Sequence, residues 1–146
     1  MAVVILLVCL GSSLFMTGLI WLVQFVHYPL FRQVGPESFS RYHAEHVQRI
    51  GPIVGPMMLT ELMTSGALVL LRPSGTPLWL ALAGLFAAAI TWLSTILLQI
   101  PLHHQLSLGF EPVAHQKLVR SNWIRTVFWS IHSLILLSMV GLALSG

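Results

Sequence analysis

Seven histidines in a chain of 146 residues that holds only four acidic side chains are the first feature with chemical content. His27, His43, His46, His103, His104 and His115 fall in or beside two polar stretches, about 27–51 and 101–122, and His132 lies deep in an apolar run. His43 and His46 are three apart, so on a helix they share a face. The run His43-Ala44-Glu45-His46 is not the zinc-protease pattern, whose histidines are four apart with the base adjacent. A helix that starts near Pro112 and continues into the last apolar run places His115, Asn122, Arg125, Trp129 and His132 on one stripe. A guanidinium near the centre of a membrane helix costs up to about 3 kcal/mol when it faces lipid. The stripe is therefore expected to turn inward. Partners can come from Trp21, Gln24 and Tyr28, from Trp92, Thr95, Gln99 and His103, and from Glu61, about two and a half turns beyond Pro52. A carboxylate at that depth must pair with Arg125 or a histidine, or take up a proton. The plainer alternative is that Glu61 and His132 hold helices together by hydrogen bonds.

Several chemistries suit such a set. A di-iron carboxylate centre needs about four carboxylates plus histidines, and with Glu37 and Glu111 outside the spans this chain cannot supply them. Haem needs one or two axial histidines and an apolar slot. Copper, iron or zinc could be held by imidazoles, with His43, His46, His103 and His115 as the metal set. Met57, Met58 and Met63 are better read as packing. A cofactor-free site is the third case: Arg125 and Asn122 hold an enolate or carboxylate while a histidine takes a proton. The cofactor stays open among these. The catalytic candidates are His115, Asn122, Arg125, His132 and Glu61, and the cofactor-binding candidates are His43, His46 and His103. No Ser-His-Asp pattern, phosphate-binding loop or dinucleotide fingerprint occurs.

The elements that position these residues are membrane spans. Hydrophobic residues make up 56% of the chain and charged residues 8%, against about 25% charged in a soluble domain. Apolar stretches run over about 2–26, 52–71, 77–100 and 123–144, each near the roughly 20 residues a span needs. No Lys or Arg precedes Arg32, so the first stretch reads as a retained helix rather than a cleaved signal. Cys9 inside it reads as an inert, packed or lipid-facing thiol. Arg72-Pro-Ser-Gly-Thr-Pro77 reads as a tight turn. Six of the seven basic residues lie with the two polar stretches and only Arg72 on the other side. That asymmetry places the polar stretches in the cytoplasm and both termini outside it; the expected location is a bacterial inner membrane. The net charge of +3 follows this topology. With no basic-aromatic signature, the expected partners are the lipid bilayer and a small hydrophobic substrate, not nucleic acid.

The chain also repeats itself. At an offset of 72, Pro29, Leu30, Gln33, His43 and Val47 match Pro101, Leu102, Gln105, His115 and Val119. The expected fold is all-α: a single transmembrane domain, 1–146, forming a four-helix bundle of two repeated helical hairpins, 1–72 and 73–146, with amphipathic cytoplasmic segments. The shared proline is expected to end or bend each outgoing helix.

The runs TWLSTILLQIPLHHQLSLGF, from Thr91, and LVRSNWIRTVFW, from Leu118, resemble the closing motif of the anthrone oxygenase-like family of small four-span membrane proteins. In that family a Thr-rich third helix leads to Val-Pro-x-Asn, and Trp-x-x-x-Asn-x-x-Arg opens the last helix. Ile100-Pro101, Asn122 and Arg125 match; His103 or His104 stands for the usual Asn, and Trp123 follows Asn122. The first-half runs HYPLF and YHAEH lie outside that pattern and bear a fainter resemblance to small four-span, haem-binding protoporphyrinogen oxidases. The resemblance implies an oxidoreductase or oxygenase acting on a lipid-soluble aromatic or quinone-like molecule that enters between the helices. A non-catalytic module is the alternative: a haem or metal chaperone, or a small transporter subunit, which would have to form a homo-oligomer.

Overall fold

The computed structural model describes residues 1–145. Four long helices dominate: α1 (Ala2–Gln33), α2 (Pro36–Leu70), α3 (Leu78–Ser107) and α4 (Pro112–Ser145), each long and apolar enough to cross a membrane. The chain is a multi-pass, all-α membrane bundle, as its apolar stretches require. At 1.5 Å per residue, helices of 30 to 35 residues exceed the roughly 30 Å of hydrocarbon. The surplus is the polar sequence. It continues the helices rather than forming loops, and it carries the histidines beyond the apolar stretches at one end of the bundle.

α1 packs against α2 and α4, and α3 packs against α4 and α2, closing a ring. Gly35 and Pro36 open α2, the proline at a position whose N–H would be unpaired anyway. Glu111 opens α4 by accepting from the Val113 amide at 2.9 Å and from that of Ala114. Between α2 and α3, the Thr76 amide donates to the Pro73 carbonyl at 3.2 Å, and Gly75 takes φ +79°, which a type II turn needs at that position.

Pro29 and Pro101 do not end their helices. Each follows a π-helical turn, Val23–His27 in α1 and Thr95–Gln99 in α3, in which the Tyr28 amide reaches the Val23 carbonyl and the Ile100 amide that of Thr95. A proline ring collides with the carbonyl four residues back in a regular helix. The wider turn makes room for the ring, so α1 runs on to Gln33 and α3 to Ser107. The two turns lie 72 positions apart, the offset that aligns the two halves of the sequence. Two apolar clusters fill the bundle. One, around Phe31, Phe39, Leu106 and Trp129, lies at the histidine-bearing end. The other, around Leu6, Leu68, Leu136 and Met139, lies at the end of the termini and holds Cys9 fully packed.

Candidate functional site

The α4 stripe turns inward. His115, Asn122, Arg125, Trp129 and His132 are all buried, Arg125 with 6% of its surface exposed. Asn122 fixes the guanidinium: its Oδ1 accepts from Arg125 Nε at 3.0 Å and Nη2 at 2.6 Å. Its own amide donates to Gln24 Oε1 at 2.8 Å, and Gln24 donates in turn to the Val119 carbonyl at 3.2 Å. Arg125 Nη2 also donates to the Tyr28 hydroxyl at 3.2 Å, and Nη1 makes a long contact to Thr95 Oγ1 at 3.4 Å. Asn122 thus orients Arg125 and is itself fully covered.

From Tyr28 a hydrogen-bonded chain runs outward. The Tyr28 hydroxyl lies 2.9 Å from His103 Nε2, His103 Nδ1 lies 2.9 Å from His43 Nε2, and His43 Nδ1 lies 3.1 Å from Ser107 Oγ. Ser107 donates to the His103 carbonyl at 2.9 Å, because a carbonyl only accepts. His43 Nδ1 must then carry a hydrogen and donate to Ser107. His43 Nε2 accepts from His103 Nδ1–H, and His103 Nε2 accepts from Tyr28. The direction of every bond in the chain is set by that one carbonyl.

His27 and His46 adjoin this chain, with His27 Nε2 2.8 Å from His46 Nδ1. Ring centroids are 4.4 Å apart for His27 and His46, 6.2 Å for His43 and His46, and 5.8 Å for His46 and His103. These rings lie beyond the apolar stretches 52–71 and 77–100. Burial holds His43 below the ordinary imidazole value. Burial and then the neighbouring imidazoles push His46 to about 4 and His103 to about 3. The cluster is therefore neutral at physiological pH. Two imidazole nitrogens on one tetrahedral ion stand about 3.3 Å apart, whereas the close pairs here are at hydrogen-bond distance. Among the described residues no three His, Cys, Asp or Glu side chains are arranged to hold a metal ion as they stand. His115 is turned away to the backbone, 2.7 Å from the Tyr28 carbonyl.

The chain opens on a cavity of about 480 Å³ between the helices, lined at its polar end by Tyr28, Arg125, His103 and His46. Its walls are Met16, Ile20, Val54, Met58, Trp92 and Trp129, with Gly51 and Gly55 on the α2 side. A methyl group added at either glycine would meet nothing within 4 Å.

Glu61 and His132 form a second, separate network that does not line this cavity. Both are fully buried. Glu61 Oε1 lies 2.7 Å from His132 Nδ1, and Oε2 accepts from Trp129 Nε1 at 2.7 Å. Ser65 lies 3.2 Å from His132 Nε2 and Ser13 lies 3.3 Å from Nδ1, so the network ties α1, α2 and α4 together. Of the partners open to Glu61, the histidine is the one it meets. The sequence candidates thus separate: Arg125, Asn122, His43, His46 and His103 gather at the cavity end, His115 supports Tyr28 from behind, and Glu61 and His132 lie deeper. Tyr28 and Ser107 also line the cavity and His27 stands behind His46; none of the three is among the sequence's site candidates. The His27-Tyr28-Pro29 run was the available signal for two of them.

No family model, curated protein or solved structure matches the chain.

Proposed function

We propose that the protein is a membrane oxidoreductase that draws a lipid-soluble aromatic or quinone-like molecule into the cavity and exchanges a proton with it through Tyr28, His103 and His43. The observation that carries this reading is the directional chain from Arg125 to Ser107, which ends in an apolar cavity of about 480 Å³. Cavities of a few hundred Å³ suit drug-sized ligands. A substrate hydroxyl beside Tyr28 gives its proton to the phenol oxygen. Tyr28 passes its own proton to His103 Nε2, and His103 passes its Nδ1 proton to His43, which becomes imidazolium against Ser107. Arg125, held by Asn122, faces the substrate oxyanion and stabilises it. An electron-rich oxyanion is what a cofactor-free oxygenase presents to dioxygen, and the resemblance carried by Ile100-Pro101, Asn122 and Arg125 is what suggests that chemistry here. The basic asymmetry supports a histidine-bearing end on the cytoplasmic side and termini on the other, and a bacterial inner membrane is the location proposed with it.

The test is oxygen uptake by the purified protein in lipid nanodiscs with an anthrone or a hydroquinone. His103→Gln is expected to lower turnover by about two orders of magnitude with little change in probe binding. Full turnover in that variant overturns the relay.

The second reading is a haem- or metal-binding module, and the four clustered imidazoles of His27, His43, His46 and His103 favour it, since modest ring rotations could converge them. An absorption spectrum and metal analysis separate the two. A Soret band, or stoichiometric copper, iron or zinc lost in His46→Ala, supports the module.

A further inference from the structure

Every carboxylate side chain in the protein is accounted for. There are four acidic residues. Glu45 is shared by Arg41 and Arg49 on the exposed face of α2. Glu61 is paired with His132. Glu111 caps α4, and Glu37 is exposed at the start of α2. Among the described residues Arg125 has no acidic partner, although only 6% of it is exposed. All its hydrogen-bond acceptors, Asn122, Tyr28 and Thr95, are neutral. An unpaired buried cation is among the most costly groups a membrane bundle can hold, and this one lines an apolar cavity.

The rest of that cavity has little to offer a polar ligand. Trp92 donates its indole N–H to the Met58 carbonyl at 3.2 Å and Trp129 donates to Glu61 at 2.7 Å, so both present ring surface only. Gln99 is engaged at both ends, by Ser94 and Ser121. Thr95 donates to the Thr91 carbonyl. Free polar capacity lies with the His46 Nε2 and His104 imidazoles, which are uncharged hydrogen-bonding groups when neutral, and with Arg125, whose Nη1 has only its 3.4 Å contact to Thr95. A guanidinium carries five N–H donors, so at least one remains for a ligand.

We infer that the cavity's ligand is a hydrophobic monoanion: a single carboxylate or acidic phenol-type oxygen that docks on Arg125, carried on an apolar body that fills the slot between Met16, Met58, Trp92 and Trp129. This inference deepens the proposed function and rests on its reading of the cavity as a binding site: the monoanion is the state a substrate reaches once its hydroxyl proton has gone to Tyr28. The anion could come from membrane lipid, as a fatty acid, or from an acidic aromatic, as a hydroxyquinone. Both share the chemistry Arg125 requires.

The test is equilibrium binding to the full chain in detergent, using oleate against methyl oleate and 2-hydroxy-1,4-naphthoquinone against its 2-methoxy ether. At least one anion is expected to bind about tenfold or more tighter than its neutral partner, the scale of one charge-assisted hydrogen bond. Arg125→Gln should erase the difference, and Arg125→Lys should keep most of it. Preference for oleate assigns the lipid source, and preference for the hydroxyquinone assigns the aromatic one. Equal binding of anion and ether that Gly55→Val still abolishes overturns the monoanion and leaves the cavity reading standing. Binding of no probe, or binding indifferent to Gly55→Val, overturns both. Should Arg125→Gln fail to fold, the anion-to-neutral ratio in the unmodified protein and in Gly55→Val decides the matter.

Discussion

The Tyr28 hydroxyl and His103 Nε2 stand 2.9 Å apart, and each residue comes after a π-helical turn, Val23–His27 before Tyr28 and Thr95–Gln99 before His103. This bond joins the guanidinium network of α4 to the imidazoles of α2 and α3. Tyr28→Phe removes it while leaving Arg125 on Asn122. Proton exchange with a bound substrate is expected to slow by about a hundredfold with affinity for a neutral quinone unchanged. Stopped-flow absorbance with a pH-indicating substrate measures the rate. An unchanged rate removes Tyr28 from the relay.

Asn122 supplies the neutral oxygen that two guanidinium nitrogens share. Asn122→Asp places a carboxylate there and gives Arg125 an internal counter-charge. Discrimination between oleate and its methyl ester is then expected to disappear, while thermal stability holds or rises. Asn122→Ala, which strips a charged group of its acceptor, is expected to cost about 1.5–3 kcal/mol. Denaturation in detergent alongside the binding assay distinguishes the two variants. Retained discrimination in Asn122→Asp contradicts the reading of Arg125 as uncompensated.

The deeper pair behaves differently. Glu61 and His132 meet at 2.7 Å with neither exposed. Removing one member of a buried pair costs about 3–5 kcal/mol because the other is left unpaired. Glu61→Ala and His132→Ala should each destabilise by about that amount, and the double variant by less than their sum. Equilibrium unfolding of the four proteins closes the cycle. Strict additivity argues against a coupled pair.

Two glycines offer a contrast within one substitution. At Gly55 an added Cβ meets open space, whereas at Gly84 it touches the His132 ring and Ile135 at 3.5–3.7 Å. Gly55→Val should leave stability within about 1 kcal/mol, with the gain in helix propensity helping, and should abolish ligand binding. Gly84→Val should lower the melting temperature instead, because its outer methyls have no room beside His132. Melting curves and one binding isotherm per variant decide this. The reverse pattern shows that the slot beside Gly55 is not where the ligand sits.

The neutral histidine cluster gives stability a pH dependence. His46 falls from its ordinary 6.5 to about 4 in the folded protein. Between those values the unfolded chain holds a proton that the folded one does not, so stability drops as pH falls from 6.5 towards 4 and then levels. Thermal melts in detergent across that range test it, and His46→Gln should flatten part of the slope. Stabilisation on acidification would contradict the buried, neutral assignment.

The four spans and the inward α4 stripe were legible in the sequence because lipid leaves buried polar groups few choices. A stripe that carries Arg125 and His132 has to find partners inside the bundle. Its division into two networks was not legible. Arg125 and His132 are seven residues apart, about 10 Å along the helix, and only the packed depth of Glu61 decides which of them it meets. Register was the other obstacle. Trp21, Gln24 and Tyr28 share a face on a regular helix, yet Trp21 ends 41% exposed while the other two are buried. The π turn at Val23–His27 adds a residue after Trp21, so the regular spacing from which that shared face was drawn does not hold through it. Nothing short of the folded backbone reports that extra residue.

The offset that relates the two π turns also pairs Phe31 with His103 and Ile53 with Arg125. Phe31 is completely enclosed, its ring 5.6 Å from that of His43. Where one half offers an imidazole and a cation, the other offers a benzyl group and an aliphatic chain. The asymmetry runs both ways: Tyr28 and His46 of the first half also line the cavity, and at the same offset the second half has Ile100 and Leu118. A chain built this way has one reactive mouth between its halves, and is expected to bind one ligand.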